Sequence, residues 1–267
     1  MNHSSENAAR LSLMHSAAQL ASPALDPFGS AMMSMRWSRP AAEGLLLVPA
    51  AACVPCLDAV GAGVVARPSL GPDASLHGMD ADEVEGFDLD RPIWHALQDL
   101  GGAGLHGAVY EAREDAGAIV MLASPFAATL ACTPAVQYEG IPFFHPMVAL
   151  AGRDRIDCCP AGFYAALQAE MAGLPVGGAG RMATHATQSR RGRADRATGA
   201  ADGSVHEMIL DALGEGTACL VAHYGLLALG DTPEAAALLA KRLEALCQIY
   251  WQVLQVGSAR AAPIPAG

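Results

Sequence analysis

The chain has 267 residues, of which 52% are apolar, and its formal charge at pH 7 is −11. This composition is typical of a packed domain rather than a disordered chain, and the negative charge argues against nucleic acid or an anionic membrane as a partner. No apolar run approaches the roughly 20 residues that cross a bilayer, and the first thirty residues lack a signal-peptide pattern, so a cytoplasmic location is the default expectation.

The first hundred residues predict a helix, three strands and a second helix. Apolar residues recur at helical spacing from Glu6 to Leu20, which indicates the opening helix. Apolar runs bounded by turn residues indicate the strands, at residues 30–37, 44–50 and 61–70. An acidic loop is expected from there to Asp90. RPIWHALQDLGG then has proline at its start and glycines past its end, as helices do.

The middle of the chain predicts two helices around a buried strand. LHGAVYEARED reads as a helix, GAIVML as the strand, and PFAATLAC as a helix with proline in its first turn. RIDCCP predicts one short strand, followed by an amphipathic helix in AGFYAALQAEMAG. Because side chains alternate along a strand, only one of Cys158 and Cys159 can face a given site.

The last hundred residues begin with a segment of unusual composition. Residues 174–203 are rich in Gly, Ala, Arg and Thr, which predicts a mobile insertion whose arginines are solvated. A helix follows with Ser204 and Glu207 as a capping box, then a strand–turn–strand pair. The final helix starts with Thr232 as its N-cap and Pro233 in its first turn. Strands and helices alternate irregularly, so we predict an α/β class with one layered core and a single domain spanning 1–267.

The seven cysteines predict buried thiols rather than a disulfide framework. Their number is odd, and Cys132, Cys219 and Cys247 lie in apolar segments. The CVPC pair Cys53 and Cys56 could be a redox motif or half of a zinc site, but a lone CxxC is weak evidence.

Several stretches together resemble the class II aldolase/adducin family. AIVMLASPFAATLA follows the family's A.V strand and TPYATALA helix without a gap, HYGLLALG resembles its NHGLL..G, and LLLVP its FLITP. Single residues fit the family's H…Y…R.D and GN.S.R patterns as well: His106, Tyr110, Arg113, Asp115, Ser34 and Arg36. The resemblance covers most of the chain apart from the Arg-rich insertion. It implies a single-domain αβα layered fold with a central, mainly antiparallel sheet, assembled as a cyclic homo-tetramer.

The resemblance fails at the residues that carry the family's chemistry. That chemistry uses a divalent metal held by three histidines, with an acid as fourth ligand or base. The matching positions here are Met121, Ala123 and Tyr224 for the histidines and Gly102 for the acid. Loss of even a residue that hydrogen-bonds to a ligand costs ~10–100-fold in metal affinity, so loss of the ligands themselves should abolish binding. We therefore expect no metal at this position and no cofactor.

The positions that bind the substrate phosphate in the family have also changed. Met32 replaces an asparagine, Ala50 and Ala51 replace a Thr-Gly pair, and Leu100 and Gly101 replace two serines. Sugar phosphates are therefore expected to lose their anchors here as well as their catalyst.

Polar residues still expected near the former metal position are the remaining candidates for chemistry. A histidine near a carboxylate can transfer protons at neutral pH, and a phenol can donate to an oxyanion. The candidate catalytic residues are Tyr224, Ser124, His145 and Glu139. The candidate substrate-binding residues are Arg36, Met121, Ala123, His106 and His223.

The histidines have structural alternatives. His106 matches a helix position where family members use histidine for packing or a local hydrogen bond. His223 precedes the matched ligand on a predicted strand and should point away from the cavity. The role of His145 stays open.

Two hypotheses follow from these residues. Retention of Ser124, Tyr224 and His145 favours a metal-independent lyase-type or isomerase-type enzyme on a small carbonyl or carboxylate substrate. The alternative is a non-catalytic, adducin-like member that acts through oligomerisation or partner binding. An enzyme should keep a deep polar pocket around Tyr224, whereas a scaffold should fill it with Met121, Met32 and Leu122. The aromatic end of the last helix, Tyr250 and Trp251, is either a contact surface or buried within the subunit.

Overall fold

The computed structural model describes residues 3–39, 42–50, 53, 85–88, 103–160 and 205–256. The helices in these ranges are α1 (His3–Ala18), α2 (Ala103–Ala112), α3 (Pro125–Ala131), α4 (Pro134–Glu139), a 3₁₀ helix (Pro146–Ala151), α5 (Val205–Leu213) and α6 (Pro233–Gln255). The strands are β1 (Met32–Arg39), β2 (Ala42–Pro49), β3 (Glu85–Asp88), β4 (Ala118–Leu122), β5 (Ile141–Pro142), β6 (Arg155–Ile156), β7 (Cys158–Cys159), β8 (Ala218–Val221) and β9 (Gly225–Gly230).

A seven-stranded sheet in the order β3-β2-β1-β4-β9-β8-β7 forms the centre of the molecule. Its pairings are antiparallel except for β7 with β8, which is parallel. Strands β5 and β6 form a separate antiparallel pair. The expected central, mainly antiparallel sheet is confirmed.

Helices cover both faces of this sheet, and β4 shows why. All five of its residues are buried, and their side chains alternate between the two faces. Ala118, Val120 and Leu122 pack on what we call the first face, with α1, α3 and α6. Ile119 and Met121 pack on the second face, with α2 and α5. The result is the predicted αβα layering.

Two predicted elements need correction. The acidic loop predicted to run to Asp90 contains a strand, β3, because β2 offers an edge with which Glu85–Asp88 can pair. The segment RIDCCP is two strands rather than one. Arg155–Ile156 pairs with β5, and Cys158–Cys159 joins the main sheet beside β8. The chain changes sheets at Asp157, so the run of strand-forming residues is divided.

The cysteines mostly follow the prediction. Cys158 and Cys159 lie on opposite faces, and burial raises the pKa of the Cys158 thiol to about 12, so it packs as a neutral group. Cys219 and Cys247 are buried as expected. Cys132 is exposed, contrary to prediction, because it caps the carboxyl end of α3 at the surface.

Most of the remaining predicted elements are confirmed, and the others fall on residues that the structure does not describe. The structure confirms the opening helix, the β1–β2 hairpin, α2, β4, α3, the β8–β9 pair and α6. The Thr232 hydroxyl is the N-cap of α6, because it accepts a hydrogen bond from the Ala235 N–H at 3.2 Å. The predictions for residues 61–70, 91–102 and 161–203, and for Cys56 and Ser204, lie outside the described residues. Within the described ranges, no helix is long and apolar enough to span a membrane.

Candidate functional site

The positions matching the three metal ligands meet where β4 ends beside the start of β9. Met121 pairs with Leu227, and Leu122 with Leu226. Gly225 presses against this strand end so closely that a Cβ there would lie 2.2 Å from the carbonyl oxygen of Leu122. Only glycine fits such an approach. The structure thus brings Met121, Ala123 and Tyr224, which precedes Gly225, into one place.

A short turn between β8 and β9 presents Tyr224. Its N–H donates to the Val221 carbonyl at 3.0 Å, and His223 adopts φ +63°, an uncommon conformation for a residue other than glycine. The expectation that His223 lies on a strand is therefore wrong. Its exposed imidazole points to the surface, with Nε2 3.3 Å from Nε2 of Gln137.

The Tyr224 side chain crosses the end of β4. Its hydroxyl donates to the Ser30 carbonyl at 3.0 Å, and Ser30 lies two residues before Met32, the partner of Met121 in the sheet. Tyr224 and Met32 are both half-buried against the apolar cluster of the second face. The Tyr224 phenol therefore connects the residue just before β9 with the segment leading into β1.

The residues at this position do not fit a divalent metal. Met121 is 7% exposed and its thioether lies within the apolar cluster, and Ala123, at 8%, has no donor atom. The Tyr224 hydroxyl already bonds to a carbonyl. Divalent metals in such sites require imidazole, thiolate or carboxylate ligands. In the described part of the chain, no three His, Cys, Asp or Glu side chains are grouped so that they could hold a metal ion.

Ser124 lies on the opposite side of the sheet. It is fully buried, and its hydroxyl donates to Oε2 of Glu244 on α6 at 2.6 Å. The same carboxylate accepts the backbone N–H groups of Phe126 at 2.8 Å and Ala127 at 2.9 Å. Since α6 covers the first face and Tyr224 packs on the second, the structure does not bring Ser124 and Tyr224 together.

Glu244 is the polar residue of this region that sequence reasoning missed. It caps the amino end of α3, where a negative charge compensates the unpaired N–H groups of the first turn. A signal for it was present, because Glu244 falls between Leu243 and Leu246 on the buried stripe of α6. A carboxylate at such a position needs buried partners.

His145 and Glu139 lie on the segment between α3 and β6. His145 is the N-cap of the 3₁₀ helix, and its Nδ1 accepts from the Met147 N–H at 3.2 Å. Glu139 is exposed at the end of α4. The neighbouring Phe144 packs against Tyr250 of α6, with ring centroids 4.8 Å apart, which places this segment on the first face. Their catalytic roles stay predictions.

His106 belongs to a buried polar chain on the second face. Its Nδ1 lies 2.7 Å from the Ser34 hydroxyl, which lies 2.9 Å from the Tyr110 hydroxyl. Its Nε2 has no hydrogen-bond partner in the described residues, and burial lowers the pKa of the imidazole to about 4. The ring is fully buried, so the geometry favours the packing alternative.

The Arg36 side chain packs at the carboxyl end of α2 and hydrogen-bonds to the backbone there. Its guanidinium stacks over the Tyr110 ring, with Cζ 5.1 Å from the centroid. It donates to the carbonyl of Tyr110 in the last turn of α2 and to the carbonyls of Arg113 and Ala116 in the loop that follows. The candidate substrate-binding arginine is thus committed to backbone oxygens.

A groove of about 420 Å³ lies at the other end of the strands. Gly117 before β4 and Asp231 after β9 line it, together with Ser12 of α1 and Arg36. Tyr224 lies at the opposite end of β9, so this groove is separate from the ligand-matched positions.

Comparison with known proteins identifies a family. Residues 74–251 match the family model described as the class II aldolase and adducin N-terminal domain. The chain is 31% identical over 158 residues to the 5-methylthioribulose-1-phosphate/5-deoxyribulose-1-phosphate aldolase of Rhodospirillum rubrum. That match covers 59% of this chain and 53% of the relative, so the chain spans about half of the relative's length.

Solved structures show the same fold at low identity. YgbL of Escherichia coli has a TM-score of 0.58 at 14% identity, with 98% of this chain and 96% of that chain covered. An L-fuculose 1-phosphate aldolase has a TM-score of 0.56 at 16% identity, covering 99% and 92%. A sugar-phosphate aldolase of Thermotoga maritima has a TM-score of 0.55 at 14% identity, covering 98% and 100%.

Proposed function

Because the chain belongs to the class II aldolase and adducin family, we propose that it is a member without the family's metal-assisted chemistry. It acts through oligomerisation or by binding a partner rather than by catalysis. The observation that carries this proposal is the hydrogen bond from Tyr224 to the Ser30 carbonyl across the end of β4. A phenol held in this way supports the fold at a position where the family uses an imidazole.

The burial of the candidate residues supports the same proposal. Ser124 and His106 are fully buried, and Met121 and Ala123 nearly so. Met121 and Met32 fill the second face, as expected of a scaffold, although Leu122 packs on the first face instead. The Ser124 hydroxyl, the Tyr224 hydroxyl and Nδ1 of His106 are hydrogen-bonded to carboxylate, backbone or hydroxyl partners within the subunit.

Metal analysis and an aldol-cleavage assay test this proposal. The purified protein is incubated with Zn²⁺, Mn²⁺, Co²⁺ or Fe²⁺, desalted, and analysed by mass spectrometry, then assayed with 5-methylthioribulose 1-phosphate and L-fuculose 1-phosphate. We expect substoichiometric metal and no cleavage above the rate without protein. Stoichiometric metal that is lost in Tyr224→Phe or Met121→Leu, accompanied by cleavage, would refute the proposal.

A second candidate function is a metal-independent lyase-type or isomerase-type reaction on a small carbonyl or carboxylate substrate. It is favoured by Tyr224, whose side chain is partly exposed to solvent, and by the 31% identity to an aldolase. A screen of hydroxy-carbonyl compounds by thermal shift would supply the substrate. Catalysis by Tyr224 then requires that Tyr224→Phe lowers kcat with little change in KM, whereas a structural role requires lower thermal stability alone.

A further inference from the structure

The groove at the start of β4 is separate from the positions that match the metal ligands, and two helices form its walls. Ala9 and Ser12 of α1 form one wall, and residues 231–234, which lead into α6, form the other. Met35 of β1 and Gly117, just before β4, also line it. Its volume of about 420 Å³ is in the range of pockets that bind small molecules, so the groove can hold a small ligand.

Two carboxylates line this groove. Asp231 and Glu234 are both exposed, and the Ser12 hydroxyl donates to Oε1 of Glu234 at 2.8 Å. Burial raises the pKa of Glu234, but the hydrogen bonds that its carboxylate accepts, first of all the bond from Ser12, lower it more. The pKa therefore lies below its ordinary value, and Glu234 is ionised at neutral pH. A carboxylate has about four acceptor positions, so Glu234 can accept further donors.

A buried hydroxyl without a hydrogen-bond partner lies beside these carboxylates. Ser16 follows Ser12 by one helical turn, so the two side chains share one face of α1. Ser16 is fully buried, and its Oγ has no hydrogen-bond partner among the described residues. Its hydroxyl is one of the weaker influences that lower the pKa of Glu234, which places it close to that carboxylate. Because buried polar atoms are normally hydrogen-bonded, an unpaired one next to a groove indicates that a bound molecule can supply its partner.

The charges around the groove favour a cation as this ligand. The positive end of the α6 dipole amounts to about half an elementary charge, which offsets only part of the two negative charges of Asp231 and Glu234. Arg36 also lines the groove, but its guanidinium stacks on Tyr110 on the second face, whereas α1 and α6 cover the first face. The two carboxylates are therefore the charges that an incoming ligand meets.

An anion is a poor ligand for this groove, even though a helix begins there. Helix N-termini attract anions through the unpaired N–H groups of the first turn. In α6, however, Pro233 has no N–H, and the Ala235 N–H already donates to the Thr232 hydroxyl at 3.2 Å. Two carboxylates at close range would also repel an anion. The ligand is therefore expected to carry positive charge.

The groove offers an apolar surface next to the carboxylates, because Ala9, Met35 and Pro233 line it. An ammonium group has three N–H donors and can bind carboxylate and hydroxyl acceptors together. We infer that the groove binds a small aliphatic amine, with its ammonium group hydrogen-bonded to Asp231 and Glu234 and its aliphatic stem packed on Met35 and Ala9. The inference does not depend on the proposed absence of metal chemistry, because the groove lies at the other end of the strands.

Saturation-transfer NMR of the full chain with n-pentylamine tests this inference, with 1-pentanol as the neutral ligand of the same length. At pH 7 pentylamine should bind about tenfold more tightly than pentanol, because hydrogen bonds to charged groups are about twice as strong as neutral ones. Glu234→Gln and Asp231→Asn should each weaken amine binding about tenfold for the same reason. Glu111→Gln is the matched control: it removes one charge from an exposed position on α2 and should leave the dissociation constant unchanged.

Ala9→Leu tests the shape of the groove separately from its charge. Leucine is a good helix former and fills space between α1 and β1, so amine binding should weaken while every charge is kept. If the carboxylates only stabilise the start of α6, Glu234→Gln would lower the melting temperature and leave the dissociation constant unchanged, which would contradict the inference.

Three other results would also overturn the inference: no binding of pentylamine, equal binding of pentylamine and pentanol, or an equal loss of affinity in Glu111→Gln. Each would show that the groove does not select an amine through its own carboxylates. Metal content and aldol cleavage play no part in these measurements, so failure of this inference is distinguishable from failure of the proposed function.

Discussion

The charge of His106 depends on whether the chain is folded. Burial lowers its pKa from about 6.5 to about 4, so the unfolded chain binds this proton more readily than the native protein. The free energy of unfolding therefore does not depend on His106 titration above about pH 6.5, where the imidazole is neutral in both states. It decreases as the pH falls toward 4, because only the unfolded chain takes up the proton. We predict that the free energy of unfolding drops by about 3 kcal/mol across this range through His106 alone.

Urea unfolding of wild type and His106→Gln at several pH values measures this contribution. Glutamine does not titrate, so the variant should lose the acid-side decrease that His106 causes, while decreases due to carboxylates remain. Parallel pH profiles for the two proteins would show that His106 does not control acid stability.

The sequence was sufficient to predict the ligand chemistry of some residues but not the orientation or backbone conformation of others. The identities of Met121, Ala123 and Tyr224 were sufficient to predict that no metal ligands stand at those positions, because ligand chemistry depends on residue type. The orientation of Ser124 was not predictable, because its partner Glu244 is 120 residues away. His223 was misplaced because Ala222, His223 and Tyr224 contain no turn residue, although the backbone turns there with a positive φ.

At the scale of elements, α3 depends on a residue of another helix. Its N-cap, Ser124, makes no side-chain cap of its own, and Glu244 accepts the N–H groups of Phe126 and Ala127 instead. We predict that Glu244→Gln lowers the free energy of unfolding by about 2 kcal/mol, because hydrogen bonds to a charged group are stronger and an amide NH₂ offers these donors no acceptor.

Chemical denaturation with a matched variant checks this prediction. Glu111→Gln makes the same substitution at an exposed position of α2 and should change stability by less than about 0.5 kcal/mol. Equal effects of the two variants would mean that the cap at α3 contributes little.

Helices and strands with strong local sequence signals were predictable. Strands that form only because a neighbouring strand offers a hydrogen-bonding edge were not. Thr232 and Pro233 mark the start of α6 by their own chemistry. Strand β3 has the sequence EGFD, which carries no strand pattern, and it exists because β2 offers an edge. RIDCCP reads as one strand, and only the presence of a second sheet divides it.

At the scale of the whole molecule, the chain has the fold of its structural neighbours, and Met121, Ala123 and Tyr224 lie where two of its strands end. We predict that the triple variant Met121→His, Ala123→His, Tyr224→His binds one Zn²⁺ per chain, because all three positions converge at the junction of β4 and β9. Three imidazoles suffice for a zinc site with an open position.

Calorimetric titration and thermal shift would measure this gain. Zinc at 100 times its dissociation constant should stabilise the variant by about 2.7 kcal/mol. The single variant Ala123→His is the control and should bind far more weakly. A folded triple variant that does not bind zinc would show that the strand ends do not hold three histidines in a geometry that coordinates the ion.

The hydrogen bond of Tyr224 across the end of β4 makes a three-histidine metal site difficult to introduce one substitution at a time. Histidine at position 224 would break the hydrogen bond to Ser30 before any cation could bind. Histidine at 121 alone would place a polar ring among apolar neighbours. Both of these single substitutions therefore lower stability before a three-histidine site is complete.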